Sequence, residues 1–300
     1  MRAKISGRKL ALFFVAAIRL FGFLTYFTGG RGFWHLCKGF GHLLPARYAE
    51  VKVHFDQDCV INISLKDPYW CRVVCSGYEY EGEVLHLLEK IKSLPFTFVD
   101  CGANIGYWSF LVSSRRFGEH SAIAIEASGA TFDLLKDNNE ENLGRVEILH
   151  RAIFSRSKQS LCVEEIADHA SRRISSQGTV VESICLDDLL GTRSDGPYVI
   201  KLDIEGAEVA ALAGAKSVLQ KVPCLLLYED HGNDPQHDIT RYIQGEMGYR
   251  VFFLEERGWE EIFDADSLTS KKKKKSRGYN LMACAKDSPF ASILVGQGKG

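Results

Sequence analysis

No acidic residue precedes Glu50, whereas eight basic ones do: Arg2, Lys4, Arg8, Lys9, Arg19, Arg31, Lys38 and Arg47. Nor does the whole chain carry an excess of charge. Its formal net charge is −1, so the part from Glu50 onward carries −9. A global basic field is missing, which argues against a nucleic-acid partner. Internal repeats are missing too. Cys71 and Cys75 have no second pair at zinc spacing, so no metal site is expected there. The nine cysteines are odd in number and scattered through apolar runs such as Phe98-Val99-Asp100-Cys101. That usage fits reduced thiols serving as small hydrophobes, and hence a cytoplasmic protein. What is present is ordinary globular composition: 300 residues, 46% hydrophobic and 25% charged. That is enough for one large domain with a short appendage.

The stretch Leu10–Thr28, LALFFVAAIRLFGFLTYFT, is apolar apart from Arg19 and follows four basic residues. It has no small-x-small cleavage site of the kind a signal peptide carries. A spanning helix needs about 20 apolar residues, and Arg19 near the centre is costly there. The expectation is a helix lying in a membrane interface or packed on the body, with Arg19 snorkelling to the polar side. Residues 1–30 are thus a candidate membrane-surface contact, and the protein is expected to sit peripherally on the inner face of a membrane.

Four segments are expected: a basic and apolar N-terminal segment (1–45), N-terminal strands and a helix (46–95), a main domain (96–288) and a flexible glycine-rich tail (289–300). Alternation over 51–65 predicts a hairpin turning at Asp56-Gln57-Asp58. Val84, Leu85, Leu87, Leu88 and Ile91 fall at helical spacing. Strands are then predicted near 96–101, 122–125, 146–149, 197–203, 224–228, 249–254 and 279–284, with helices between most of them. Residues 155–183 read as polar and irregular, 207–220 as one alanine-rich helix, and Ser270–Arg277, SKKKKKSR, as a solvated loop. Strands alternating with helices mean a mostly parallel sheet covered on both faces.

The most informative segment is FVDCGANIGYWS, Phe98–Ser109. An apolar strand ends at Asp100 and is followed by Gly102, Asn104, Gly106 and a helix. Ligands of open α/β sheets bind outside the carboxyl ends of strands, and helix N-terminal amides offer donors there. The third glycine of GxGxxG is absent, which argues against a nicotinamide-dependent oxidoreductase. Asp100 adds a carboxylate, which suits a cationic cofactor such as S-adenosylmethionine. The next strand ends at Glu126, where a carboxylate can accept hydrogen bonds from ribose hydroxyls.

FVDCGANIGYWS, KLDIEGAE (Lys201–Glu208) and LLLYEDHG (Leu225–Gly232), in this order, resemble the FkbM family of S-adenosylmethionine-dependent methyltransferases. The resemblance runs from about Glu79 to Cys284. It implies a class I methyltransferase fold: a Rossmann-like, doubly wound, mostly parallel seven-stranded sheet, here with an N-terminal helical and hairpin extension. The cofactor-side positions are then Asp100, Gly102, Asn104, Gly106, Glu126 and Ala152, the last in RAIFS (Arg151–Ser155), which resembles the family's next cofactor-side strand end. Ala127 stands where the family usually has proline. Asn138, Asn139 and Asn142 fall where it has an asparagine.

The resemblance also implies methyl transfer, typically to oxygen. The acceptor would be a hydroxyl of a sugar or glycan, a glycolipid or a natural product. A hydroxyl acceptor must lose a proton, so a base is wanted near the methyl group. Asp203, Glu205 and His231, all at or just beyond strand ends, are the catalytic candidates. Asp203, Glu205, Glu229 and Asp230 form a lesser, oxygen-rich candidate set for Mg²⁺. A non-catalytic ligand-binding module on the same fold is the alternative reading.

Overall fold

The computed structural model describes residues 4–26, 37, 39, 45, 49–56, 58–74, 79–164, 178–194, 196–204, 206–232, 234–274 and 278–295, with the side chains of 21–26 left aside. Strand β1 (Lys4–Gly7) leads into helix α1 (Lys9–Tyr26). Strands β2 (Glu50–Asp56) and β3 (Cys59–Ser64) form the expected hairpin, and β1 adds to β2 as a third antiparallel strand. Helix α1 lies on the body through Ala11, Val15 and Ile18, at the 3–4 residue spacing of one helix face. Arg19 donates from Nε to the Val74 carbonyl at 2.7 Å, so its charge is turned into the protein. No helix among the described residues is long and apolar enough to cross a membrane.

Helix α2 (Gly82–Ile91) buries all five apolar residues of its predicted face. Beyond it come β4 (Thr97–Cys101), α3 (Tyr107–Val112), β5 (Ala122–Glu126), α4 (Gly129–Glu141) and β6 (Glu147–His150). Residues expected to be irregular instead contribute β8 (Ser160–Val163) and β9 (Thr179–Ile184), which form a small sheet with β7 (Ala152–Ile153). Ile184, Val181 and Val163 supply too weak an alternation to stand out in so polar a segment. The chain returns through α5 (Leu186–Leu190) to β10 (Tyr198–Leu202).

The single helix expected over 207–220 is two, α6 (Glu208–Ala213) and α7 (Lys216–Lys221). Gly214 packs so tightly that an added Cβ would lie 2.6 Å from the Phe154 carbonyl. Asp187 then accepts from the amides of Ser217 and Val218 at 3.0 and 2.8 Å, capping α7. Strand β11 (Cys224–His231), helix α8 (Asp238–Met247), strands β12 (Arg250–Glu255) and β13 (Gly258–Ile262), helix α9 (Leu268–Lys271) and strand β14 (Gly278–Cys284) follow.

The central sheet has the order β13-β12-β14-β11-β10-β4-β5-β6. All seven predicted strands are in it, and β13 adds an eighth at the edge. Strands β4, β5, β6, β10 and β11 run parallel, while β14 is antiparallel to β11 and β12. Phe98 and Ala124 face one core layer, and Val99 and Ile125 face the other. Such near-continuous apolar strands are those of a sheet covered on both faces. The expected flexible tail is corrected over its first part: Pro289–Val295 is helix α10, with Phe290, Ala291 and Leu294 buried and the Leu294 carbonyl accepting from Trp259 Nε1 at 2.7 Å. The apolar residues at 290, 291 and 294 outweigh the glycines after 295, which lie outside the described residues.

Side-chain amides dock the hairpin on the main sheet's helices. Asn142 pairs with both the N–H and the C=O of Val60 (3.1 and 2.6 Å), as a neighbouring strand would. Asn138 accepts from the Asn62 amide at 2.8 Å and donates to the Ile105 carbonyl at 2.9 Å. Arg145 donates to the carbonyls of Asp58 and Phe110 at 2.6 and 2.9 Å. Asn138 and Asn142 therefore hold the extension against α4 and the loop after β4, while Asn139 pairs with the N–H and C=O of Val146.

Candidate active site

The chain passes from β4 outward through β5 to β6 on one side, and later from β10 to β11 on the other. The order reverses between β4 and β10, the point at which open α/β sheets carry their ligand crevice. The loop Gly102–Gly106 lies at this point. Gly102 and Ala103 donate their amides to the Ile125 carbonyl, both at 2.9 Å. Gly102 has φ +82°, and a Cβ there would lie 2.0 Å from the Asp203 carbonyl oxygen. Gly106 has φ +87°, and a Cβ there would meet Phe110 at 2.2 Å. Both positions thus require glycine for conformation and for space.

Glu126, 7% exposed, accepts from the Asn104 amide through Oε2 (2.9 Å) and from the Ser128 amide through Oε1 (2.8 Å). One carboxylate therefore sets both loops. Asn104, at φ +53°, accepts from Trp70 Nε1 through its side-chain oxygen at 3.2 Å.

Asp100 stands differently from the sequence expectation. It is 1% exposed and accepts from the Ser109 hydroxyl at 2.7 Å. Burial raises its pKa, against the pull of Lys201. Through that bond it ties β4 to α3, beneath the loop that joins them. Ala152 is buried in a small apolar cluster with Val163 and Val181, against which Ala127 packs. It thus sits behind the turn that follows Glu126.

On the other side of the crevice, Asp203 follows β10 and accepts from Lys201 Nζ at 2.7 Å. Burial works against the Lys201 ammonium, but Asp203, Glu81 and Asp100 together outweigh it and hold its pKa well above the usual lysine range. Glu81 is a residue that sequence reasoning missed. It accepts from Trp108 Nε1 at 2.7 Å, and burial raises its pKa despite Lys201 nearby. Its own backbone is left-handed, at φ 43°. Tyr69 and Tyr80 join hydroxyls at 2.9 Å, and Trp70 packs against both rings. Burial lifts both phenols above the ordinary tyrosine range. No local motif marks these residues.

His231 ends β11, half-exposed, with Nε2 3.9 Å from Glu229. Glu205 lies outside the described residues. The alternative Mg²⁺ set does not fit as a group, because Asp203 is engaged by Lys201 and Asp230 by Lys272. Eight cysteines among the described residues are free thiols, and all but Cys162 are buried. The Lys run is corrected as well. Lys271 pairs with Glu260 and Lys272 is buried, whereas Lys273 and Lys274 are exposed as expected and 275–277 lie outside the described residues.

Residues 100–251 match the family described as Methyltransferase FkbM domain, just over half of the chain. The hexuronic acid methyltransferase AglP of Haloferax volcanii is 28% identical over 166 residues, covering 54% of this chain and 67% of that protein. A solved FkbM methyltransferase from Methylobacillus flagellatus aligns at 18% identity and TM-score 0.42, over 63% of this chain and 43% of that one. This chain therefore spans less than half the length of that structure. An O-methyltransferase from Bacillus cereus, solved with SAH, aligns at 16% identity and TM-score 0.40, over 70% of this chain and 84% of that one.

Proposed function

The chain belongs to the FkbM methyltransferase family, and on that footing we propose that it transfers a methyl group from S-adenosylmethionine to a hydroxyl of a sugar, on a glycan, a glycolipid or a natural product. The observation that carries this reading is the Gly102–Gly106 loop bound to Glu126 at the sheet's switch point. The loop holds this course only with glycine at 102 and 106, where a Cβ would collide with Asp203 or Phe110. Glu126 offers acceptors suited to ribose hydroxyls. The Asp203 carboxylate beside the loop suits a positive ligand. The residues present therefore fit the cofactor. Bound there, S-adenosylmethionine supplies an activated methyl carbon on a cationic sulfur.

The chain's own work is alignment and proton removal. Gly102, Asn104, Gly106 and Glu126 hold the cofactor side. Asp203, kept next to an ammonium, is placed to accept a hydroxyl's hydrogen bond and take its proton. His231 is the second candidate for that proton. Trp70, Tyr69 and Tyr80 form a packed aromatic cluster with Tyr107 beside these residues. The sugar acceptor draws support from the printed activity of the Haloferax relative.

The membrane reading belongs to the same proposal. Helix α1 turns Leu12, Phe13 and Leu20 outward, with Phe13 68% and Leu20 63% exposed. Arg8 and Lys9 stand at its start. That combination favours the interface of an anionic membrane, consistent with a peripheral protein on an inner face. Phe13→Glu with Leu20→Glu should abolish sedimentation with phosphatidylserine vesicles and leave cofactor affinity unchanged. Unchanged sedimentation refutes the membrane reading. Removing the whole N-terminus is a poorer test, since β1 and α1 are packed on the body.

The cofactor is tested by calorimetry of the full chain with S-adenosylmethionine and, separately, NADH. We expect binding of the former alone, weakened in Glu126→Gln. Binding of NADH alone overturns the reading. With binding established, transfer of a labelled methyl group to a panel of neutral, amino and hexuronic sugar glycosides identifies the acceptor class. No transfer to any of them, with cofactor bound, counts against the sugar.

A further inference from the structure

The segment after β11 gathers Asp230, Asp234 and His237, whose ligand atoms all lie within 4.8 Å of one another. An oxygen- and nitrogen-rich cluster of this kind is the usual setting for a cation. Here the cation belongs to the chain. The Lys272 side chain, 2% exposed, enters the cluster from the lysine run. Its ammonium donates to Asp230 Oδ1, to His237 Nδ1 (2.7 Å), to the His231 carbonyl (3.0 Å) and, at a longer 3.4 Å, to the Asp234 carbonyl.

The surrounding groups are oriented to suit it. Asp230 accepts through its other oxygen from the Thr240 hydroxyl at 2.7 Å, and Thr240 in turn meets the Tyr228 hydroxyl at 3.1 Å. Because Nδ1 of His237 faces an ammonium, it must be the acceptor. Its Nε2–H therefore donates to Thr269 Oγ1 at 3.1 Å. Asp234 has its carboxylate committed to the amides of Gln236 and Asp238 (2.9 and 3.1 Å) and gives the cation its backbone oxygen. Such an arrangement, with several acceptors around one point charge, is how a bound cation orders a loop.

We propose that residues 230–237 form a cation site whose resident cation is tethered. The Lys272 ammonium does there what a metal ion or free ammonium would do, fixing the loop and, through the His231 carbonyl, the place of His231. Lys272 is on this account a positioning residue, and with its side chain removed the site accepts a small ammonium ion or a divalent metal. The proposal concerns the loop's architecture and stands whether or not the acceptor is a sugar.

The test is thermal unfolding of the full chain as wild type, Lys272→Ala and Lys272→Met. An uncompensated buried carboxylate should lower Tm by on the order of 10 °C in both variants. Methylammonium chloride and MnCl2 should each restore at least half of that loss in Lys272→Ala, against matched NaCl. Neither should shift the wild type or Lys272→Met, in which the methionine chain fills the space. Failure of both cations to restore Lys272→Ala overturns the proposal, and so does a Lys272→Met variant as stable as wild type. Should the single variants not fold, lysine-selective NMR of the unaltered chain decides. Two ammonium groups protected from exchange, Lys201 and Lys272, support the proposal. One alone overturns it.

Discussion

The two halves of the crevice are built in different ways. The cofactor half, from β4 to β5, is nearly all backbone: glycines at positive φ, amides and one carboxylate that ties two loops together. Its residues lie within a short stretch of chain, Asp100 to Ser128. The acceptor half is all side chain. Trp70, Tyr80 and Glu81 reach it from one stretch of chain and Lys201 and Asp203 from another, more than 100 residues on, and their charges and rings are balanced against one another in a buried setting. The comparison teaches that a local turn can be written in a few residues, whereas a buried charge balance cannot.

The sharpest way to break this comparison is Gly102→Ala. Its Cβ would collide with the Asp203 carbonyl and so disturb both halves at once. A loss of about 3 kcal/mol in urea unfolding, with cofactor binding abolished, is the expected result. Gly206→Ala is the control. Gly206 has φ +90° but open space around it, so only the conformational cost of about 1–2 kcal/mol should appear.

Next in size is Glu126→Gln, which keeps the shape and removes the charge that two amides face. S-adenosylmethionine binding should weaken by about 10- to 100-fold in calorimetry. An unchanged Kd would assign Glu126 to loop architecture alone.

Glu81 probes the other half through pH. Burial raises its folded pKa above the ordinary value of 4.5. The folded state thus prefers the protonated form, and its stabilising contribution is full below pH 4.5 and lost as pH rises through the folded value. Wild type should therefore lose stability relative to Glu81→Gln as pH is raised from about 4 toward 8. Parallel stability curves for the two proteins would show that folding leaves the Glu81 pKa unchanged.

The smallest effect is expected for Trp70→Phe. It removes one indole donor to Asn104 and leaves a ring in place. About 1 kcal/mol of stability and a few-fold in cofactor affinity should go with it. A larger loss in methyl transfer than in cofactor binding would show that the ring also meets the acceptor.

Much of this molecule was legible before the structure. The seven main strands, the hairpin at residues 56–58 and the buried face of α2 follow from apolar period alone, because burial on a sheet or helix face imposes that period on the sequence. The loop with Gly102 and Gly106 was legible because positive φ and close approach leave only glycine. Other features were not. The break at Gly214, the small sheet of β7, β8 and β9, and the helix Pro289–Val295 depend on partners elsewhere in the chain. Asp100 could be named as a site residue, but not seen to lie beneath the loop.

What the sequence by itself determined is the sheet, its order of construction and the place where a cationic cofactor fits. These follow from local patterns: alternation, turn glycines and carboxylates at strand ends. What only the tertiary structure decided is which charges are paired. Lys272 reads as one of five lysines in a solvated run, yet it is buried against Asp230 and His237. Lys201, in a strand, holds Asp203. A buried ion needs a partner chosen by proximity in space, and proximity between residues as far apart as Asp230 and Lys272, 42 positions, is set by the fold and not by local sequence.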